Sequence, residues 1–359
     1  MKRILYSLFF LLSTTSLFAT IRTVSNNPST FAQFNTVQAA IDAASAGDTI
    51  YVHGSPNAYN GFNITKQLVI IGPGWSPNKN LPHTALITGS LNFSTAAASG
   101  TELQGLTINA STSVVVLGVN NLRLVRNRFQ GITFHMTPST VGTISGYLFE
   151  GNWFDNGAVN GNASYTYQNF IFQNNIFYET GCCTGFSISG FVNTVNVLFD
   201  HNLFYGPGSG NRDVFTSNCR FLILSNNIFV RRNAASNLSS STFNNNITLN
   251  AGNDAPWTVN GNVDGGGNVA GQDPQMTSQP SVNNGTNNPL LDFTIASGPA
   301  NNTASDGKDM GLLFDGAGSL NWANSRGSRL PYIFSMNITT PTVAPGGNVS
   351  VTIEARRNN

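Results

Sequence analysis

The chain has 359 residues, 9% of them charged and 11% aromatic, with a formal net charge of +1. Ordinary domains carry about 25% charged residues; here Asn, Ser, Thr and Gly supply the polarity. Charge this sparse argues against nucleic acid or an anionic membrane as the main partner, and against a strongly anionic polymer unless basic residues concentrate locally.

Lys2 and Arg3, followed by the apolar run Ile4 to Leu12, read as a secretory signal over 1–19, with cleavage after Ala19. The run is too short to span a membrane stably, no cysteine near the cut offers a lipid anchor, and no second membrane span follows. The chain is therefore expected to be secreted or held at the cell surface. Export permits a disulfide. Cys182, Cys183 and Cys219 fall at different places around the repeat described below, however, and read as small buried hydrophobes with their pairing left open. Their spacing does not suggest zinc. Residues 20–48 are expected to cap the fold. Val37, Ala40, Ile41 and Ala44 share one helical face, Gly47 ends the helix, and Asp48 leads into the first strand. Strand-like runs follow at Gln67 to Gly72, Leu86 to Gly89 and Leu103 to Ile108.

A short phrase then returns five times: Asn127-Arg128-Phe129, Asn152-Trp153-Phe154, Asn175-Ile176-Phe177, Asn202-Leu203-Phe204 and Asn227-Ile228-Phe229, its asparagines 25, 23, 27 and 25 residues apart. A fixed period of this length marks a repeat architecture. Apolar residues stand five and three positions before each Asn, and the two-residue step is that of a strand. Stacked units place Phe on Phe inside and Asn on Asn at the corner, ~4.8 Å apart. Each amide then donates to one neighbour and accepts from the other. Leu106 stands where later units have Asn, so the ladder starts at Asn127; it weakens after Asn227, where Asn246 keeps the corner without the Phe.

These features resemble the right-handed parallel β-helix of the pectate-lyase-like superfamily, over roughly Thr36 to Phe314. The resemblance implies an all-β solenoid of about ten coils over 49–320 with an N-terminal helix as plug. Most relatives with known activity act on polysaccharides, so an extracellular polysaccharide is the expected partner. The phrase Asp306-Gly307-Lys308-Asp309-Met310-Gly311 resembles the closing phrase of secreted bacterial β-helix proteins. Its aspartates make Ca²⁺ possible, though a closed cage needs six or more oxygens and no cofactor is required.

Leu291 to Ile295 alternates like a last coil strand. In the remaining segment, 321–359, Tyr332 to Ile338 and Asn348 to Ala355 predict a hairpin turning at Pro345-Gly346-Gly347. A lone hairpin is unstable and must dock. The outward positions offer a place: Leu148, Ile171, Leu198 and Ile223 four before each Asn, and Trp153, Ile176, Leu203 and Ile228 one after it. A column this apolar is expected to be covered by the hairpin, by a long loop, or by a second chain through self-association.

Catalysis on a glycan needs paired carboxyl groups or a base with a neutraliser. The chain contains no Asp-Asp pair, which departs from the polygalacturonase-like pattern. The nearest substitute is Glu150 and Asp200, two coils apart in the column two before Asn, with His201 beside Asp200 and Arg126 one coil from Glu150. In the blander reading these are solvated corner residues and a simple ion pair. Tyr178 and Tyr205, which share one column, and Tyr165 and Tyr167 are candidates for stacking on sugar rings, set against ordinary flank packing. The sparse charge and missing motifs favour a recognition protein without catalysis over a polysaccharide lyase or hydrolase.

Overall fold

The computed structural model describes residues 19–75, 83–109, 113–116, 118–136, 142–180, 187–208, 212–314, 321–325, 332–338 and 346–356. The chain winds as a parallel β-solenoid of about 9 turns. One sheet, the first face, stacks strands in parallel from Ile21–Val24 and Thr49–Val52 through Leu148–Glu150, Thr166–Gln173, Asn193–Asp200 and Leu222–Ser225 to Val263–Asp264. The second face stacks Thr107–Ile108, Arg128–Gln130, Trp153–Asp155, Ile176–Tyr178, Leu203–Tyr205, Ile228–Val230 and Ile247–Leu249. The third carries Ser113–Val116, Thr133–Met136, Ala158–Asn160, Ile188–Ser189 and Phe215–Thr216. The long strand Leu86–Phe93 pairs with both Thr107–Ile108 and Ser113–Val116, which joins the second and third faces into one sheet.

The repeat builds this stack as its spacing predicts. Phe129, Phe154, Phe177, Phe204 and Phe229 stand above one another inside, with ring centroids 5.0, 4.5, 4.7 and 4.8 Å apart. Phe149, Phe172 and Phe199 form a parallel file from the first face at 4.5 and 4.3 Å. All eight are buried. At the corner, each Asn Oδ1 accepts from the backbone N–H of the preceding Asn, from Asn127 N to Asn152 at 2.9 Å through Asn202 N to Asn227 at 3.0 Å. Leu106 N–H opens the ladder by donating to Asn127 Oδ1. The ladder runs further than the five phrases, through Asn246 to Asn268.

Around this ladder the backbone must turn sharply at each coil. The residue just before each ladder Asn has positive φ: Arg126, Gly151, Asn174, His201, Asn226, Asn245 and Gly267, as does Gly105 before Leu106. Gly tolerates this conformation and Asn is enriched in it, which explains the many Asn-Asn pairs.

The N-terminal plug is the helix Val37–Ala43, with Val37, Ala40 and Ile41 buried and the Thr36 side chain accepting from Ala39 N–H. It stops a turn before Gly47, whose φ of 88° serves the loop into the first coil. Asp48 is buried there and accepts from Thr20 N, Ser45 N and Arg22 Nε.

Two expectations for the C-terminal part change. Leu291 to Ile295 is not a coil strand: after Val269, which still pairs in parallel with Ile247, residues 271–314 run back along the outside of the second face, with one isolated antiparallel bridge between Met276 and Ile295. This segment and Trp322 cover the column one after Asn. Met276, Val282, Phe293, Met310 and Leu312 pack with Trp153, Ile176, Leu203 and Ile228 into one buried cluster. Among the described residues the cover is thus a long segment, one of the three covers expected for this face. The hairpin pairs Tyr332–Ile338 with Val351–Arg356 in antiparallel register, and its Ile338, Val351 and Ile353 are exposed. The column four before Asn stays open, with Ile171 38% exposed and Leu148, Leu198 and Ile223 half-buried.

Candidate functional site

The four residues proposed for catalysis lie along one edge of the solenoid. Glu150, Gln173 and Asp200 occupy one outward column in adjacent strands, so the two carboxyl groups are about two strand spacings, ~9–10 Å, apart. Gln173 stands between them and its Nε2 donates to Asp200 Oδ2 at 3.2 Å. Asn226 Nδ2 donates to the other Asp200 oxygen at 2.8 Å. Burial pushes the Asp200 carboxyl above its ordinary range, while His201 and the Asn226 hydrogen bond pull the other way. Glu150 is buried, and its carbonyl accepts from Arg126 N–H at 2.9 Å.

Arg126 and His201 belong to the left-handed column before the ladder and are 0% and 1% exposed. This column is the rail on which the covering segment docks. His201 Nδ1 lies 3.0 Å from the Gly311 carbonyl oxygen, which can only accept, so the proton sits on Nδ1. Its Nε2 faces Asp306 at 3.5 Å. Asn174 Oδ1 accepts from Leu313 N, Asn226 Oδ1 from Ser305 N, and Asn245 Nδ2 donates to Thr303 O. His201 is therefore held beneath the segment in the structure rather than facing open solvent. Asp306 and Asp309 of the closing phrase are engaged locally: Asp306 accepts from Lys308 N and Asp309 from Asn302 N. Among the described residues no three His, Cys, Asp or Glu side chains gather as a metal site.

Tyr178 and Tyr205 do share one column, in edge-to-face contact at 5.1 Å. Both are buried, and their hydroxyls donate to Gly285 O and Thr286 O of the covering segment. Their rings bind that segment in the structure, which leaves neither face open to a ligand. Tyr167 points inward, its hydroxyl donating to Met136 O and accepting from Asn162 N. Tyr165 is half-buried against the core. Cys219 is buried and unpaired, its Sγ donating to Thr216 O; Cys182 and Cys183 lie outside the described residues.

A residue not picked out from the sequence is more informative. A second left-handed corner runs along the first face through Gly100, Asn121, Gly146, Asn169, Asn196, Phe221 and Ser240. Phe221 interrupts this file of small or amide residues with φ of 55°, and is 54% exposed. A non-glycine residue in this region costs ~1–2 kcal/mol, and a bulky one is an outlier. A Phe that stays half in water does not recover the cost by burial. The signal was present in the sequence: the position that carries Asn, Gly or Ser in other coils carries Phe here. Around it lie Val195, 45% exposed, and the open column Ile171, Leu198 and Ile223. The flanking outward positions are Thr143, Ser145, Thr166, Gln168 and Asn193, with Arg220 as the nearest charge. The face is a parallel sheet, apolar in one stripe, with hydroxyls and amides on one side of the stripe and the Glu150–Gln173–Asp200 column on the other, and with Arg123 continuing the stripe in the coil before Leu148.

Among the described residues no helix is long and apolar enough to cross a membrane. Compared with known proteins, the chain matches no family model and no curated protein.

Proposed function

We propose that this chain is an exported, non-catalytic member of the pectate-lyase-like superfamily that recognises an uncharged extracellular polysaccharide on its first face. The observation that carries the reading is Phe221: strained, half-exposed and of no evident use to the core, it stands beside an apolar stripe and a row of hydroxyls and amides. Sugar rings present apolar faces and hydroxyl edges, and such a surface complements both. A parallel sheet repeats this surface every ~4.8 Å along the stack, which suits a chain-like ligand.

The exported location rests on the residues of the signal segment, and the superfamily on the repeat, the plug and the closing phrase. A hydrolase reading has one observation in its favour, the raised Asp200 carboxyl, since a general acid needs such a shift. Against it, His201 is held under the covering segment and Gln173 occupies the space between the two carboxyl groups.

Affinity electrophoresis of the chain against neutral and acidic polysaccharides tests the reading. Retardation by a neutral polymer, weakened about tenfold in Phe221→Ala, is expected; a stacked aromatic contributes on the order of 1 kcal/mol beyond its buried area. Retardation only by acidic polymers, or equal retardation of wild type and Phe221→Ala, refutes it. Concentration-dependent dimers lost in Ile171→Asp would instead assign the face to self-association.

A further inference from the structure

The capped end of the solenoid carries a second feature that the first face does not explain. The loop 25–35 and the start of the plug helix enclose two adjoining depressions that share Asn26 and Asn35. One, of about 590 Å³, is lined by the loop itself, including Pro28, Gln33 and Phe34. The other, of about 300 Å³, is lined further by Gln38, Tyr59 and Asn60. Both volumes lie within the ~300–1,000 Å³ usual for small-molecule sites. Neither lining contains a charged residue; the walls are amides, hydroxyls and a few apolar carbons.

The loop is held firmly. Ser25 N donates to Phe34 O and Phe34 N to Thr23 O, closing its two arms at 2.9 and 3.0 Å. Its tip turns on Asn27, whose carbonyl accepts from Thr30 N and whose Oδ1 accepts from Ser29 N. Asn26 Nδ2 ties the loop to the next coil through Asn57 O and Ala58 O, while Asn26 Oδ1 is buried without a partner. At the tip, between the lining residues Thr30 and Ala32, Phe31 is 96% exposed. An aromatic ring placed in water by an ordered loop, next to a neutral polar groove, gains nothing for the fold.

We propose that this groove is a binding site for the end of a neutral oligosaccharide, with Phe31 stacking on a sugar ring and the Asn26, Gln33 and Asn35 side chains hydrogen-bonding its hydroxyls. An acidic sugar finds no cation in either wall. The proposal extends the reading of the first face to a separate site but stands on its own residues. A chain end is the apt ligand because the site lies at the tip of the solenoid, beyond the run of parallel strands.

The test uses the full chain carrying Phe31→Trp, alone and combined with Phe221→Ala, titrated with short neutral and uronate oligosaccharides and read by tryptophan fluorescence against the unsubstituted chain. The expected result is a saturable change with neutral oligosaccharides alone, specific to Phe31→Trp and retained when Phe221 is removed. An affinity about tenfold lower in Phe31→Ala is expected by calorimetry. Polysaccharide retardation that depends on Phe221 but brings no fluorescence change in Phe31→Trp overturns this site and leaves the first-face reading standing. The converse, a fluorescence change in Phe31→Trp with no retardation, keeps the site and removes that reading. A change caused by neutral phosphatidylcholine vesicles instead of sugar assigns Phe31 to a lipid surface and overturns the proposal, as does a dimer lost in Phe31→Ala.

Discussion

Replacing Asn175 by Ala removes four hydrogen bonds at a site with 0% exposure. Its Nδ2 donates to Phe149 O at 2.9 Å and to Asn202 Oδ1 at 3.0 Å, and its Oδ1 accepts from Asn152 N and Nδ2. Asn202 Oδ1 keeps a donor in Asn175 N, and Asn152 Nδ2 keeps Leu124 O. The backbone N–H of Asn152 and the Phe149 carbonyl lose the side-chain partner. Leaving a buried polar group unsatisfied costs about 1–3 kcal/mol. The parallel register still gives the Phe149 carbonyl a backbone donor, so one orphaned N–H, the lost side-chain bond and a small void place the cost at about 2–4 kcal/mol. At the end of the ladder, Asn268 makes analogous bonds to Phe243 O and Asn246, yet it is only half-buried. Water can replace them, and Asn268→Ala should cost about 1 kcal/mol. Urea unfolding followed by circular dichroism measures both, as shifts in the midpoint at constant slope. Equal costs at the two sites, or less than about 1 kcal/mol at Asn175, would refute the idea that a sealed amide column holds the corner.

Phe177→Ala opens a void between Phe154 and Phe204 and should cost about 3–5 kcal/mol by the same assay. Removing 332–359 should leave the melting temperature and dye binding unchanged, because Ile338, Val351 and Ile353 of the hairpin stay exposed; removing 271–359 should bare Trp153, Ile176, Leu203 and Ile228 and bring strong dye binding. Asp48 adds an acid sensitivity. Burial alone would raise its carboxyl, but hydrogen bonds from Thr20, Ser45 and Arg22 outweigh this and hold it below the usual range. Its stabilisation is therefore complete above the unfolded carboxylate value of ~3.9 and is lost as pH falls through the lower folded value. Asp48→Asn should flatten the loss of stability in that acid window, measured by urea midpoints at stepped pH.

The solenoid, the Phe files and the Asn ladder were legible because stacking makes each coil repeat the same local problem, and the period of the solution appears in the sequence. The outward column one after Asn was legible too, but its cover was not. Residues 271–314 have no period, and their docking depends on contacts such as Asn174 Oδ1 with Leu313 N, 139 residues apart. The burial of Tyr178, Tyr205 and His201 follows from that same segment, so their availability could not be judged from coil position alone. Phe221 and Phe31 were missed for a different reason. Phe221 breaks a column of small and amide residues that shows only once the second corner is aligned, and Phe31 is conspicuous only by its exposure in an ordered loop.

The central claim is recognition without turnover, and one measurement addresses it directly: prolonged incubation of the purified chain with each polysaccharide it retains, following released reducing ends and absorbance at the unsaturated-uronate band. The account predicts a retained neutral polysaccharide and no product in either channel. Product that disappears in Glu150→Gln, Asp200→Asn or Arg126→Ala would contradict it and make this edge of the solenoid an active site.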